Sequence, residues 1–292
     1  MHALGDLELI FAKFATYPPP NVFPSNRSTL AHKEYHKFGG AFNDQLNALG
    51  ASRIFNWWAG MFFGVLPGTF THSHVYNHHK YDNGVEDQYS TGGYRRDSLW
   101  NFMRYIFVWF MYASNISTVV QFVREGRNER ALQVVGATAY YLAFVRLLWA
   151  ISPEWCVVSV LWAFVEGNLL LSVVNWVWHA FIDPAAPDNE FTNSTTIVNG
   201  EHFIFGEEFH VCHHQAGGAH WSQQQAKFEA DWKAGKYKTS IVFKNFNLFV
   251  LGGMILAGDC KAMIPFVYDP EGDHDPAQLE SMLRARLRAT TW

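Results

Sequence analysis

Histidine recurs at ligand-like spacing three times along this chain: His32 with His36, His74 with His78 and His79, and His210 with His213 and His214. Residues three and four apart share a face of an α-helix, so each group aims two or three imidazoles toward one point. That is how a helix builds part of a metal site. A single group would carry little, because the sequence holds 14 His in 292 residues and short motifs recur by chance. Their repetition carries the reading, since clustered imidazole is the strongest sequence sign of a metal centre. His74 and His78 share a helical face and His79 is rotated off it, which asks for a second metal or a helix end at that point. So much neutral nitrogen suits a first-row transition metal, whereas zinc hydrolysis needs far fewer ligands.

Other polar residues gather around these groups. The run Lys80 to Asp87 reads as a polar turn whose carboxylates are either second-layer acceptors for imidazole N–H groups or part of a solvated loop. Glu207 and Glu208 precede the third group, where they orient ligands, relay protons or simply cover a helix surface. Asn175 and His179 stand four apart at the end of an apolar stretch, and Asn168 extends their polar stripe. His72 breaks the helical spacing of its group, His202 lies two turns before His210, His220 follows the third group, and His274 reads as solvated.

The elements that must hold these residues are helical and apolar. Aromatic residues make up 17% of the chain and charged residues only 16%, against about 25% charged in an ordinary soluble protein. Both deviations point to lipid contact. A mean hydropathy of -0.08 argues for a few spans joined to a large polar part. Stretches 132–150 and 155–178, separated by Ser152 and Pro153, form a hairpin of two spans of roughly 20 residues each, the length a bilayer core demands. Arg146 near its tip can snorkel to the interface, and Glu166 is a mid-span carboxylate without an evident partner. Arg124, Arg127 and Arg130 lie before the hairpin and Lys227, Lys233, Lys236 and Lys238 after it. The positive-inside rule therefore turns both hairpin ends, and the histidines, to the cytoplasm.

Elsewhere, Leu7 to Phe14 has helical amphipathic spacing, and Ile54 to Phe70 is a Gly- and Pro-interrupted segment of re-entrant or interfacial character. Leu99 to Phe122 and Ser240 to Ala257 read as interfacial helices. Met1 to Arg27 lacks the basic and apolar regions of a signal peptide. The net charge of -4 and the lack of a basic, aromatic-interleaved stripe give no footing for nucleic acid. Cys156, Cys212 and Cys260 are too scattered for a disulfide framework. The expected organisation is one domain over residues 1–292, with the hairpin at about 131–179 and a peripheral tail from about 269.

At this point the residues resemble the membrane-bound fatty acid desaturase and hydroxylase superfamily, whose signature is HxxxH, HxxxHH and HxxHH. His32/His36, His74/His78/His79 and His210/His213/His214 match it in order, with a hydrophobic hairpin between the second and third boxes. The lead Gly206-Glu207-Glu208-Phe209 is similar to that of acyl-CoA desaturases, as is Asn175-x-x-x-His179. The resemblance implies an all-α membrane hairpin with a cytosolic helical cap, two iron ions (Fe2+), and O2 as co-substrate. It also implies that His179 is a further iron ligand and that Asn175 holds a metal-bound water. Two departures stand out: Met1 to Thr29 is too short and polar for the hairpin that normally precedes the first box, and Gln215 to Trp221 differs from the usual aromatic-Pro pattern.

The expectation is therefore a membrane oxidoreductase with a non-haem di-iron centre, its metal held by His32, His36, His74, His78, His79, His179, His210, His213, His214 and Asn175, with Glu207 and Glu208 as catalytic candidates. Its reaction is desaturation of an acyl or lipid-like chain. Hydroxylation, oxidative decarboxylation, a carotenoid ketolase or hydroxylase, and a non-catalytic metal-binding protein of the same fold stay open. Electrons come from an external donor of ferredoxin, cytochrome b5 or rubredoxin type, because no haem, flavin or iron–sulfur motif is fused to the chain.

Overall fold

The structure, a computed structural model, describes His32, His36 and residues 44–292 apart from 69, 188, 202–204, 271, 273 and 274. The expected helix at Leu7 to Phe14, and His202 and His274, lie outside the described residues. The chain divides into two compact units, one formed by residues 1–76 and 110–171 and the other by 77–109 and 172–292.

The first unit is apolar and helical. Helix α1 (Ala51–Trp57) leads through a tight turn at Ala59–Phe63 to a π-helix at Phe70–His78, its last two residues belonging to the second unit. Gly64 adopts φ 81 between them, and a Cβ there would lie 2.3 Å from the Ala163 carbonyl oxygen, so only glycine permits this approach. Asn168 fixes the contact by donating to the Gly64 carbonyl at 3.2 Å and to the Phe164 carbonyl at 2.9 Å. Helix α2 (Leu99–Ala113), residues 99–109 of which belong to the second unit, and α3 (Ile116–Arg124) are bent by 73° about Asn115, which sits at φ 68. Asn tolerates the left-handed region better than other side chains, and its Nδ2 donates to Thr138 at 2.8 Å.

Helices α4 (Asn128–Ile151) and α5 (Pro153–Trp178) are the expected hairpin, at 24 and 26 residues. Ser152 caps α5 by accepting from the Trp155 N–H, and Pro153 occupies its first turn, where its missing N–H costs nothing. Met61, Leu66, Tyr141, Leu148, Cys156 and Val160 form a core cluster in this unit. Both helices are long and apolar enough to cross a membrane, and α2 with α3 becomes a third if the bent pair is one span. The interfacial helix expected at Leu99 to Phe122 is thus a broken pair.

The second unit holds α6 (His210–Gln215), α7 (Gln224–Lys233), α8 (Leu248–Ala257) and α9 (Pro276–Arg288). It also departs from the all-α expectation: β1 (Thr196–Val198) and β2 (Val242–Lys244) pair in parallel, Thr196 with Val242, Ile197 with Phe243 and Val198 with Lys244. Three-residue strands are too short for a period-2 pattern to show. The helix expected over Ser240 to Ala257 accordingly begins only at Leu248, where Asn247 accepts from Phe249 and Val250 N–H groups.

The tail expected to be peripheral is anchored. Leu279, Leu283 and Leu287 of α9 are buried, each such side chain contributing about 1.5–3 kcal/mol of burial. Arg96, fully buried, donates to the carbonyls of Ala180 at 3.0 Å and Ala289 at 2.5 Å, and to those of Tyr94 and Arg286. A guanidinium satisfied by backbone oxygens ties the end of the chain to the segment leaving α5.

Candidate metal centre

The second unit brings His78, His179, His210 and His214 together, with one ring nitrogen from each lying within 4.8 Å of the others. Ring centroids stand 4.7 Å apart for His78 and His214, 4.8 Å for His210 and His214, and 5.0 Å for His179 and His210. Three elements supply them. His78 ends the π-helix, His179 follows the last residue of α5, and α6 presents His210 and His214 one turn apart while turning Val211 and Cys212 into a cluster with Phe209, Phe228, Tyr237 and Val242. Trp178 stacks on His210 at 5.1 Å.

Two of the imidazoles are hydrogen-bonded at Nδ1 to an acceptor, and the other two face a carboxylate. His78 Nδ1 donates to Asp87 Oδ2 at 2.6 Å and His179 Nδ1 to the Asn193 carbonyl at 2.7 Å. His214 Nδ1 lies 3.0 Å from Asp82 Oδ1, and His210 Nδ1 faces Glu207 Oε2 at 3.6 Å. A proton held on Nδ1 leaves Nε2 as a lone-pair donor, the tautomer a metal ligand needs. His179 Nε2 and His210 Nε2 then face each other at 3.2 Å, an arrangement of two lone pairs that a shared cation stabilises. His214 Nε2 is buried and makes no hydrogen bond among the described residues. The donor set therefore fits a transition-metal ion.

Burial disfavours a proton on two of these imidazoles. Burial, followed by the neighbouring His214, His78 and His210, holds His179 well below the usual imidazole range. Burial lowers His210 to about 3 despite the opposing Glu207 carboxylate. Burial alone would raise Asp82, but the adjoining His214, His78 and Asn193 outweigh it and hold the carboxyl below its ordinary value.

The turn after the second box is what places these acceptors. Asp82 at φ 42 and Asn83 at φ 62 reverse the chain, and Asp87 accepts from the N–H groups of Tyr89 at 2.8 Å and Asn83 at 3.0 Å while holding His78. The acceptor alternative for this loop is the one observed, and Asn83 and Asp87 are buried. Thr91 Oγ1 donates to the His179 carbonyl at 2.5 Å, and Asn193 Nδ2 to the Asp82 carbonyl at 3.1 Å.

The remaining box histidines form smaller groups. Within the first unit His32 Nε2 stands 2.8 Å from His36 Nε2 and 2.7 Å from His74 Nε2. Within the second, His79 and His213 have ring centroids 4.7 Å apart, and His213 Nδ1 faces Glu207 Oε1 at 3.4 Å. Two expectations about shared faces change here. His74 and His78 stand in different histidine groups, on a stretch wound i→i+5 rather than i→i+4, a form frequent at functional sites. His213 parts from His210 and His214 because successive positions on α6 diverge in direction, so the third box serves two groups.

Asn175 directs its Nδ2 to the Tyr89 carbonyl at 2.9 Å and Tyr105 Oη at 2.7 Å. Glu207 is buried between His210 and His213; Glu208 is half-buried, and its carbonyl accepts from Ile197. His72 joins no metal-capable group among the described residues; it lies against Tyr76 and Phe122, and burial with Arg130 and Arg127 lowers it to about 4. His220 is exposed and caps a short turn by accepting from Ser222. The Asn193 carbonyl, the stacking of Trp178 and the Tyr105 hydroxyl escaped the sequence reading; a backbone acceptor leaves no mark in a sequence, and only the proximity of Trp178 to His179 hinted at the second.

A largely helical frame with two or three apolar spans, carrying buried imidazoles backed by acceptors, defines a membrane protein with a metal-capable histidine centre. The chain belongs to the fatty acid desaturase family, which it matches over residues 24–244. No curated protein and no solved structure matches it. Family membership places its activity in the oxidative modification of fatty-acyl chains.

Proposed function

We propose that this protein desaturates an acyl or lipid-like chain with O2 at a di-iron centre. His78, His179, His210 and His214 hold one iron, and the other is assigned to the remaining box histidines, His32, His36, His74, His79 and His213. The observation that carries this reading is the four-imidazole set, with a hydrogen-bonded acceptor at Nδ1 of His78 and His179 and a carboxylate facing Nδ1 of His210 and His214. When bound, the iron pair supplies reduction of O2 to an oxidant able to take hydrogen from an unactivated C–H bond.

The chain's own residues do the rest. Asp87, Asn193 and Asp82 keep the Nδ1 protons in place, so the ligand nitrogens stay unprotonated. Glu207, between His210 and His213, orients both rings, and Glu208 is assigned a supporting role in proton supply. Asn175 is assigned to a water at the metal. Over one turnover the substrate loses two hydrogens and gains a double bond, while O2 takes those hydrogens with two protons and two external electrons and leaves as two waters. The electrons come from a ferredoxin, cytochrome b5 or rubredoxin type of donor. The cluster of Arg124, Arg127 and Arg130 at the start of α4 and the lysines after α5 support a cytoplasmic face for the centre by the positive-inside rule.

The test is lipid mass spectrometry of a host making the wild type beside His213→Ala, with iron measured in both purified proteins. A new double bond that needs O2 and the wild-type histidine is expected. A hydroxylated or shortened chain would replace desaturation by the corresponding oxidation, and a wild type with neither iron nor a changed lipid would refute the enzyme reading in favour of a metal-binding protein without chemistry.

A further inference from the structure

Tyr105 belongs to none of the histidine motifs, yet its hydroxyl sits where two arms of the centre meet. It is buried on α2, its ring enclosed by Tyr94 at 5.8 Å, Trp109 at 6.0 Å and Trp176 at 5.0 Å between centroids. The hydroxyl donates to the Tyr89 carbonyl at 3.2 Å and accepts from Asn175 Nδ2 at 2.7 Å. The same Nδ2 donates to the Tyr89 carbonyl at 2.9 Å. A primary amide has two N–H protons, and both are committed here. Flipping the amide would set its oxygen against the Tyr89 carbonyl, acceptor against acceptor. Asn175 can therefore offer a ligand only its Oδ1, as an acceptor.

Each end of this link runs to a metal-capable histidine. The Tyr89 N–H is held by Asp87, whose other oxygen holds His78. The Asn175 carbonyl accepts from the His179 N–H at 3.1 Å. We propose that Tyr105 is a positioning residue of the centre: its hydroxyl locks Asn175 with Oδ1 as an acceptor for a proton-bearing ligand of the metal, such as water, and couples Asn175 to the Asp87–His78 arm. This rests on the di-iron reading above.

Tyr105→Phe keeps the ring and removes the hydroxyl alone. Loss of an outer hydrogen bond of this kind costs about 10–100-fold in affinity or activity. The expected result is kcat lowered by about tenfold with substrate KM unchanged, together with a shifted near-infrared circular dichroism spectrum of the ferrous protein. In an Asn175→Ala background the same change adds nothing. Should Tyr105→Phe fail to accumulate, Asn175→Asp probes the link from its other end, with the same spectral shift expected. An iron-loaded, active wild type beside a Tyr105→Phe or Asn175→Asp protein with unaltered spectrum and kcat would overturn this inference alone, as would full additivity in the double variant. A wild type that binds no iron would overturn the di-iron reading and this inference with it.

Discussion

The hairpin and the histidine centre solve opposite problems of solvation. Along α4 and α5 most exposed side chains are apolar, among them Leu132, Leu142, Ile151 and Trp162, while Ser159 and Ser172 are fully buried. In the second unit the order is reversed: His78, His179 and His213 have no exposure, and Asp87 and Glu207 are buried beside imidazoles. An apolar surface of that extent marks a lipid or protein contact. Buried ionisable groups must be paired or bound to a metal. One region is thus made stable by what surrounds the molecule and the other by what the molecule provides internally. The lesson is that the frame tolerates many apolar exchanges, whereas the centre depends on single hydrogen bonds.

That contrast can be broken at either end. The largest effect is expected from His179→Ala, which removes one of four imidazoles. Iron measured by mass spectrometry should fall at this centre and lipid oxidation should drop to background; retained iron and activity would deny His179 a ligand's role. Next comes Leu142→Arg on the exposed face of α4. A charge near the middle of a span costs roughly 2.5–3.5 kcal/mol of insertion, so the protein should be depleted from the membrane fraction. Were α4 in water, the same change would raise solubility instead. Asp87→Asn is expected to be smaller, about 10–100-fold in metal affinity measured by chelator competition, because His78 keeps a neutral acceptor in place of a charged one.

The smallest effect concerns protons. His210 is lowered to about 3 and His179 also lies far below an unfolded imidazole, which titrates near about 6.5. Between those values the unfolded chain takes up protons that the folded protein refuses, so stability is greatest above about pH 6.5 and falls as pH drops toward 3. Melting temperatures of the metal-free protein should decline on acidification over that window. A flat profile would mean that the imbalance of protons is absent, and with it the sealed interior that sets the centre apart from the hairpin.

The sequence made some of this visible and hid the rest for physical reasons. Hydropathy located α4 and α5 to within a few residues, because an uninterrupted apolar run of bilayer length is seldom compatible with anything but a span. Box spacing identified the imidazoles, yet it could not sort them. His74 and His78 look like partners in an α-helix, and nothing in their spacing tells that they stand in different histidine groups. Asp87 was recognisable as an acceptor but not as a buried one, since the reversal at Asp82 and Asn83 depends on two positive φ values. The pairing of Ile197 with Phe243 joins residues 46 positions apart, and Arg96 finds its partners through backbone oxygens that no side-chain pattern encodes.

Arg96 also sets a clock on assembly. Its contact with the Ala180 carbonyl, beside His179, is completed by carbonyls of Arg286 and Ala289, up to 193 positions further along the chain. At about 5–20 residues per second of synthesis, that interval is on the order of ten to forty seconds. Until it has passed, a guanidinium destined for the interior keeps its water, and the segment carrying His179 lacks its final anchor. The packing of the segment that carries His179 is thereby complete only after translation has passed α9.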